Sequence, residues 1–367
     1  MAKKKKVRTA FRKNHETRRR ESDWTRRFAT EDQAVDEALH GERVSGKGSL
    51  TRKRTLLVGD DAARELGTDV LAGRVLSVHG LASRVQTGDG AIYRCAMRGL
   101  LKSLAIDARH VVAVGDRVMI RPERGDEGFI ERIEPRYGVL SRTSKGRQHV
   151  IVSNVDQLVI VGSAAEPRLK PNLIDRYLIC AEKSGIRPLI CINKIDLIDP
   201  ADLQPLIGVY AQMGYDTLLV SAAQGINVDR LRRALRGRES VIAGQSGVGK
   251  SSLLNAVEAG FSLAVSQVSQ ENQKGRHTTT AARLLPLAEG GYVVDTPGIR
   301  QFQLWDVTPE EVAGYYRDLR PYESLCRYPS CTHTHEAECA VKDAVADGRL
   351  DARRYESYCH VREGDMV

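Results

Sequence analysis

The chain has 367 residues, 41% of them hydrophobic and 28% charged, with a formal net charge of +9. That length accommodates two or three domains, and no apolar run approaches the 18 residues of a membrane-crossing helix. The opening Met1 to Lys6 leads into no apolar stretch, so no secretory signal is expected. With seven cysteines, an odd number, a cytoplasmic chain with reduced thiols is expected rather than a disulfide framework.

The charge is concentrated at one end. Residues 1–27 carry 12 Lys and Arg against 3 Asp and Glu, which is the whole +9 excess. Residues 1–68 have few apolar side chains and are expected to be a mainly disordered basic tail. Clusters such as Lys3 to Lys6 and Arg18 to Arg20 suit phosphate backbones, and a merely solubilising tail is the alternative. From 69 to 145 the pattern is short alternating runs, 73–78, 91–95, 116–120 and 128–133, separated by turns around Gly90, Gly115 and Gly125. About five strands in 70 residues predict a small antiparallel barrel, best matched by an OB-fold.

From 146 to 305 strands and helices alternate. Runs at 155–162, 187–193, 217–221 and 239–243 read as strands, and 172–185, 201–213, 228–235 and 251–257 as helices. Two more strands follow near 283–287 and 291–295. This is the pattern of a doubly wound α/β domain. Its centre is Gly244, Gln245, Ser246, Gly247, Val248, Gly249, Lys250 and Ser251, which fits G-x-x-x-x-G-K-[ST] between a strand and a helix. Glycines there let backbone N–H groups surround the α- and β-phosphates. Lys250 would reach the β- and γ-phosphates, Ser252 would close the nucleotide set, and the Ser251 hydroxyl would bind Mg²⁺.

Three further stretches point to guanine. Asn193, Lys194, Ile195 and Asp196 follow an apolar strand; the carboxylate can accept from N1–H and the 2-amino group of guanine, a donor pair that adenine lacks. Ser221 and Ala222 follow the next strand and resemble a second base-contact loop. Asp295 ends a strand and is placed for Mg²⁺, with Gly298 for the γ-phosphate. The order is circularly permuted, because the base-recognition stretches precede the phosphate loop. Ile299 stands where Ras-like enzymes carry a water-positioning Gln, so slow intrinsic turnover is expected. The segment 274–280 offers His277 as a candidate catalytic group. Thr278 to Thr280 are switch ligands, with Thr279 taken for Mg²⁺.

Residues 306–367 hold Cys326, Cys331, His333 and Cys339 within 14 residues of low apolar content. Three thiolates and an imidazole are a closed structural zinc set, with His335 and Cys359 as alternative ligands. Cys95, Cys180 and Cys191 lie in apolar runs and are read as packing residues. Helices are expected at 309–319 and 351–361.

The phosphate loop, 274–280, Asp295 to Gly298, the permuted order and the C-x4-C-x-H-x5-C tail together resemble the bacterial ribosome small-subunit-dependent GTPase A family, over about residues 70–360. The resemblance implies an OB-fold, a permuted GTPase domain at 146–305 and a zinc domain at 306–367. It implies a monomeric GTP hydrolase, with GTP or GDP and Mg²⁺ as ligands. Its partners would be the 30S subunit with its 16S rRNA and another assembly factor released late in subunit maturation. The family's suggested catalytic histidine falls on His277. A nucleotide-gated RNA-binding module and a translation-type GTPase are the competing readings.

Overall fold

The computed structural model describes residues 5–12, 51–58, 69–97, 112–144, 147–261, 263, 282–295 and 307–364. Two compact units are present, Met1–Val70 and Leu71–Val367. In the first, strands β1 (Lys5–Arg12) and β2 (Thr51–Val58) pair antiparallel, Lys5 opposite Val58 and Arg12 opposite Thr51. Within the tail expected to be mainly disordered, these two stretches are paired strands. Both intersperse cations with good strand formers, Val7, Thr9 and Phe11 in one and Thr55 and Val58 in the other. An antiparallel ladder satisfies their backbone groups.

The second unit opens with five strands: β3 (Leu71–His79), β4 (Ala82–Thr87), β5 (Ile92–Met97), β6 (Arg117–Pro122) and β7 (Glu127–Ile133). They pair in the order β3-β4-β5-β7-β6, and β6 returns to β3, closing the expected barrel. Its interior is Val75, Val85, Cys95, Val118, Ile120 and Ile130, supplied by alternate residues of the strands. Burial pushes the Cys95 thiol up to about 12, as befits a packing residue. A hairpin of β8 (Leu140–Ser144) and β9 (Arg147–Val152) then leads into the α/β region.

That region contains β10 (Gln157–Ser163), α1 (Pro171–Ser184), β11 (Arg187–Asn193), α2 (Gln204–Gln212), β12 (Asp216–Leu219) and α3 (Val228–Leu235). It continues through β13 (Glu239–Ala243), α4 (Lys250–Val257), β14 (Arg283–Pro286) and β15 (Tyr292–Asp295). The sheet order is β12-β11-β10-β13-β15-β14; the first five are parallel and β14 runs against β15. Strand β10 shows why the sheet is covered twice. Leu158 and Ile160 pack with Ile174, Tyr177 and Leu178 of α1 and Tyr210 of α2. Val159 and Val161 pack with Leu231 and Leu235 of α3 and Leu253 and Leu254 of α4. Each such fully buried aliphatic side chain is worth about 1.5–3 kcal/mol relative to water. At the far edge Arg283 of β14 pairs with Ser77 of β3, so the barrel continues the sheet.

The C-terminal region carries α5 (Arg320–Glu323), α6 (Ala340–Ala346) and α7 (Ala352–Glu363), the last capped by the Asp351 side chain. The helix expected at 309–319 is replaced by turns and a short 3₁₀ segment, Ala313–Tyr315. Tyr315 N–H donates to the Val312 carbonyl, Tyr316 to Ala313 and Leu319 to Tyr316, all three residues back. Gly314 weakens an α-helix there, and the tighter winding turns Val312, Ala313, Tyr316 and Leu319 into one core with Val341 and Tyr358.

Candidate nucleotide site and metal cluster

Because β11, β12, β13 and β15 are parallel, the loops that follow them all leave the same edge of the sheet. Chain order is irrelevant to that convergence, which is why a permuted sequence builds an intact site. The phosphate loop leaves β13 at Gly244, whose φ is 149° and whose added Cβ would lie 2.2 Å from the Val161 carbonyl oxygen. The Lys250 ammonium donates to the carbonyls of Gly244 and Gln245, at 2.7 Å each, so it stays over the mouth of its own loop. Ser251 and Ser252 occupy the first turn of α4.

Asn193 ties three loops together. Its side-chain amide donates to the Val248 carbonyl of the phosphate loop at 2.9 Å, and its Oδ1 accepts from Ala222 N–H at 3.1 Å. Its side chain passes so close to Gly249 that an added Cβ there would stand 2.4 Å from Nδ2. Gly249 is thus needed for this crossing as well as for its φ of 91°. The motif identified Asn193; nothing in the spacing indicated that it is the knot between loops.

Lys194 adopts a left-handed conformation, φ 62°, and its ammonium donates to the Glu166 carbonyl in the loop before α1. Asp196 follows in a 3₁₀ turn, with Oδ1 buried and lacking a hydrogen-bond partner among the described residues. A buried carboxylate oxygen in that state costs about 1–3 kcal/mol or more, and a guanine N–H donor is the group that would satisfy it. Ser221 is buried and its hydroxyl accepts from Gln224 N–H at 3.1 Å, fixing the turn beside Ala222. The backbone of Asp295 closes β15 on the same edge. The Asp295 side chain, the segment with His277 and Thr278 to Thr280, and Gly298 with Ile299 lie outside the described residues.

The metal-ligand candidates come together. One ligand atom from each of Cys326, Cys331, His333 and Cys339 lies within 4.8 Å of the others. Cys326 Sγ is 3.9 Å from Cys339 Sγ, and His333 Nδ1 is 3.4 Å and 3.5 Å from those two sulfurs. A tetrahedron with Zn–S of about 2.3 Å and Zn–N of about 2.0–2.1 Å has edges of about 3.8 Å and 3.5 Å, so the set fits zinc. Burial and the neighbouring sulfurs of Cys339 and Cys326 push the Cys331 thiol up to about 12; crowded thiolates repel, and a dication removes that penalty. His333 is buried at a φ of 60°, held by the Tyr355 hydroxyl donating to its carbonyl at 2.7 Å. His335 and Cys359 stand outside the four-residue set.

Comparison with known proteins agrees with this geometry. The RsgA GTPase family model matches residues 133–305. The small ribosomal subunit biogenesis GTPase RsgA of Chlorobaculum parvum is 40% identical over 302 residues, 79% of this chain and 96% of that protein. The chain belongs to the RsgA GTPase family. Among solved structures, YjeQ from Thermotoga maritima is similar at 34% identity and a TM-score of 0.67, covering 80% of this chain and 98% of that one. YloQ, described as a circularly permuted GTPase, is similar at 30% identity and a TM-score of 0.63, covering 82% and 96%. The permuted GTPase domain, the five-stranded barrel and the Cys and His cluster are thus those of an RsgA GTPase, and the chain is a GTP-hydrolysing enzyme. None of its described helices is long and apolar enough to cross a membrane.

Proposed function

We propose that this chain binds GTP and GDP through Asn193 to Asp196, Ser221, Ala222, Gly244 to Ser252 and Gly298. It hydrolyses GTP when docked on the small ribosomal subunit and its 16S rRNA. The observation that carries the reading is the buried Oδ1 of Asp196, without a partner among the described residues, beside a phosphate loop tied to it through Asn193. Guanine supplies the missing donors, and a bound nucleotide would place its phosphates on the Gly244–Ser251 backbone under the Lys250 ammonium. Ser251, Thr279 and Asp295 would hold Mg²⁺, which neutralises charge on the phosphates when bound. His277 is the candidate for acting on the attacking water, in the place Ile299 leaves unfilled.

The relatives' name supports a role in small-subunit biogenesis; in this reading the chain acts as a monomer in the cytoplasm and releases another assembly factor. The Cys326, Cys331, His333 and Cys339 set would carry one structural zinc. The basic residues 1–27 would add phosphate contacts that respond to salt and not to sequence.

GTP turnover measured with and without purified 30S subunits tests the reading, and strong stimulation is expected. Asp196→Asn should lose GTP and gain xanthosine triphosphate, whose base replaces the amino donor by an acceptor. Turnover indifferent to 30S subunits, with Asp196→Asn unchanged toward both nucleotides, would overturn it.

A further inference from the structure

Helix α1 belongs to two cores at once. Ile174, Tyr177, Leu178 and Ala181 are buried in the GTPase-domain core. Ile179 is buried instead with Val312, Tyr316, Leu319 and Tyr358 of the C-terminal domain. Asp175, four residues before Ile179, lies on that second face and is 1% exposed. It pairs with the Arg354 guanidinium of α7 and accepts from the Tyr210 hydroxyl at 2.8 Å. Arg354 also donates to Asp318 through Nε at 2.9 Å and Nη2 at 3.0 Å, with its guanidinium 4.4 Å from the Tyr316 ring centre. Further along, Glu182 accepts from Arg317 at 2.7 Å and Lys183 pairs with Glu311 at 3.3 Å.

The other side of α1 reaches the nucleotide loops. In the loop that leads into it, Ala164 N–H donates to the Asn193 carbonyl at 2.8 Å, and the Glu166 carbonyl receives the Lys194 ammonium. Within the helix, Tyr177 hydrogen-bonds to the backbone of Gly244, the first residue of the phosphate loop. Helix α1 together with the loop leading into it thus touches the base loop, the phosphate loop and the C-terminal domain.

We propose that Arg354 and Asp175 are positioning residues for the guanine nucleotide. The metal-cluster domain, docked on α1 through this pair, sets how firmly loop 163–170 and Tyr177 hold Lys194 and Gly244, and so sets how long the nucleotide stays. A surface that loads or shifts the C-terminal domain then changes nucleotide release without touching the nucleotide. The proposal rests on the reading of Asn193, Lys194 and Asp196 as base contacts.

The test is release of a fluorescent N-methylanthraniloyl GDP from the full-length, metal-loaded protein. Arg354→Met removes the cation from two carboxylates, and release should quicken about tenfold, an ordinary size for coupling between sites. Arg317→Met, at the rim of the same contact, should quicken it a few-fold and serves if Arg354→Met does not fold. In a Lys194→Met background, which has already lost the Glu166 contact, Arg354→Met should add less than about twofold, as expected of residues acting through one link. Unchanged release in both Arg354→Met and Arg317→Met would overturn the proposal. So would the same tenfold effect in both backgrounds, which marks a loss of structure independent of Lys194. If the unaltered protein does not prefer guanosine over xanthosine diphosphate, the base-site reading fails instead, and the release comparison still stands on the phosphate loop.

Discussion

The GTPase domain is held by its two neighbours through the same device, an arginine on a buried carboxylate, yet the two joints lead to different places. At the barrel joint Arg74 of β3 forks onto Glu239 and also donates to the Gly115 carbonyl at 3.1 Å. Glu239 is the first residue of β13, at the end of the strand opposite Gly244, and its N–H is anchored on Asp156 at 2.8 Å. At the other joint Arg354 meets a helix that runs beside the nucleotide loops. The C-terminal pair is the more deeply buried; the Arg354 and Asp175 side chains are 4% and 1% exposed, those of Arg74 and Glu239 13% and 9%. The barrel joint therefore sets where the barrel sits. The C-terminal joint also reaches the base loop, since the loop leading into its partner helix receives the Lys194 ammonium at Glu166. Charge burial alone transmits nothing; the element that carries the charge decides.

The largest effect expected is loss of one metal ligand. Cys339→Ala should release residues 307–364 to rapid proteolysis and remove bound zinc, while the chain still binds GDP with faster release. A zinc-free variant that kept its proteolytic resistance would show that the hydrophobic core around Tyr316 and Tyr358 suffices. Next in size is Arg354→Met, which leaves Asp175 buried beside no cation; breaking such a pair costs about 3–5 kcal/mol. Hydrogen exchange should report it as lost protection in α1 and α7 together, with the barrel strands unaffected.

A smaller effect sharpens the barrel side. Burial pushes Glu239 up to about 7, against the pull of Arg74. A carboxyl raised in the folded state gives stability that is present below its unfolded value of 4.5 and lost as pH rises through about 7. Glu239→Gln, which does not titrate, should therefore gain stability relative to the unaltered protein between pH 5 and about 8, as read from denaturant midpoints. GDP release should not change with it. Smallest is Asp351→Ala: losing the cap on Arg353 N–H should cost about 1 kcal/mol. Bonds to Arg353 hold the Asp351 carboxyl below its ordinary 3.8. The stabilisation is thus present above that value, and the gap between variant and parent should close as pH falls beneath it.

The sequence by itself determined the site's ingredients and their chemical identity. The glycine loop, the Asn193 to Asp196 stretch and the Cys and His spacing each impose a chemistry that few other residue sets satisfy, and strand periodicity placed the first two at strand ends. It also carried the barrel and the parallel α/β domain, because alternation and apolar runs are local signals. Folding added what depends on residues distant in the chain. The Asn193 crossing to Val248 spans 55 positions and the Arg354 contact with Asp175 spans 179, and neither has a local signature. The helix expected at 309–319 became a set of turns for the same reason: its apolar spacing suits either winding, and the core around Tyr316 and Tyr358 selected the tighter one. Chemistry was legible because it resides in residue types, whereas coupling depends on which surfaces meet, and only tertiary packing brings them into contact.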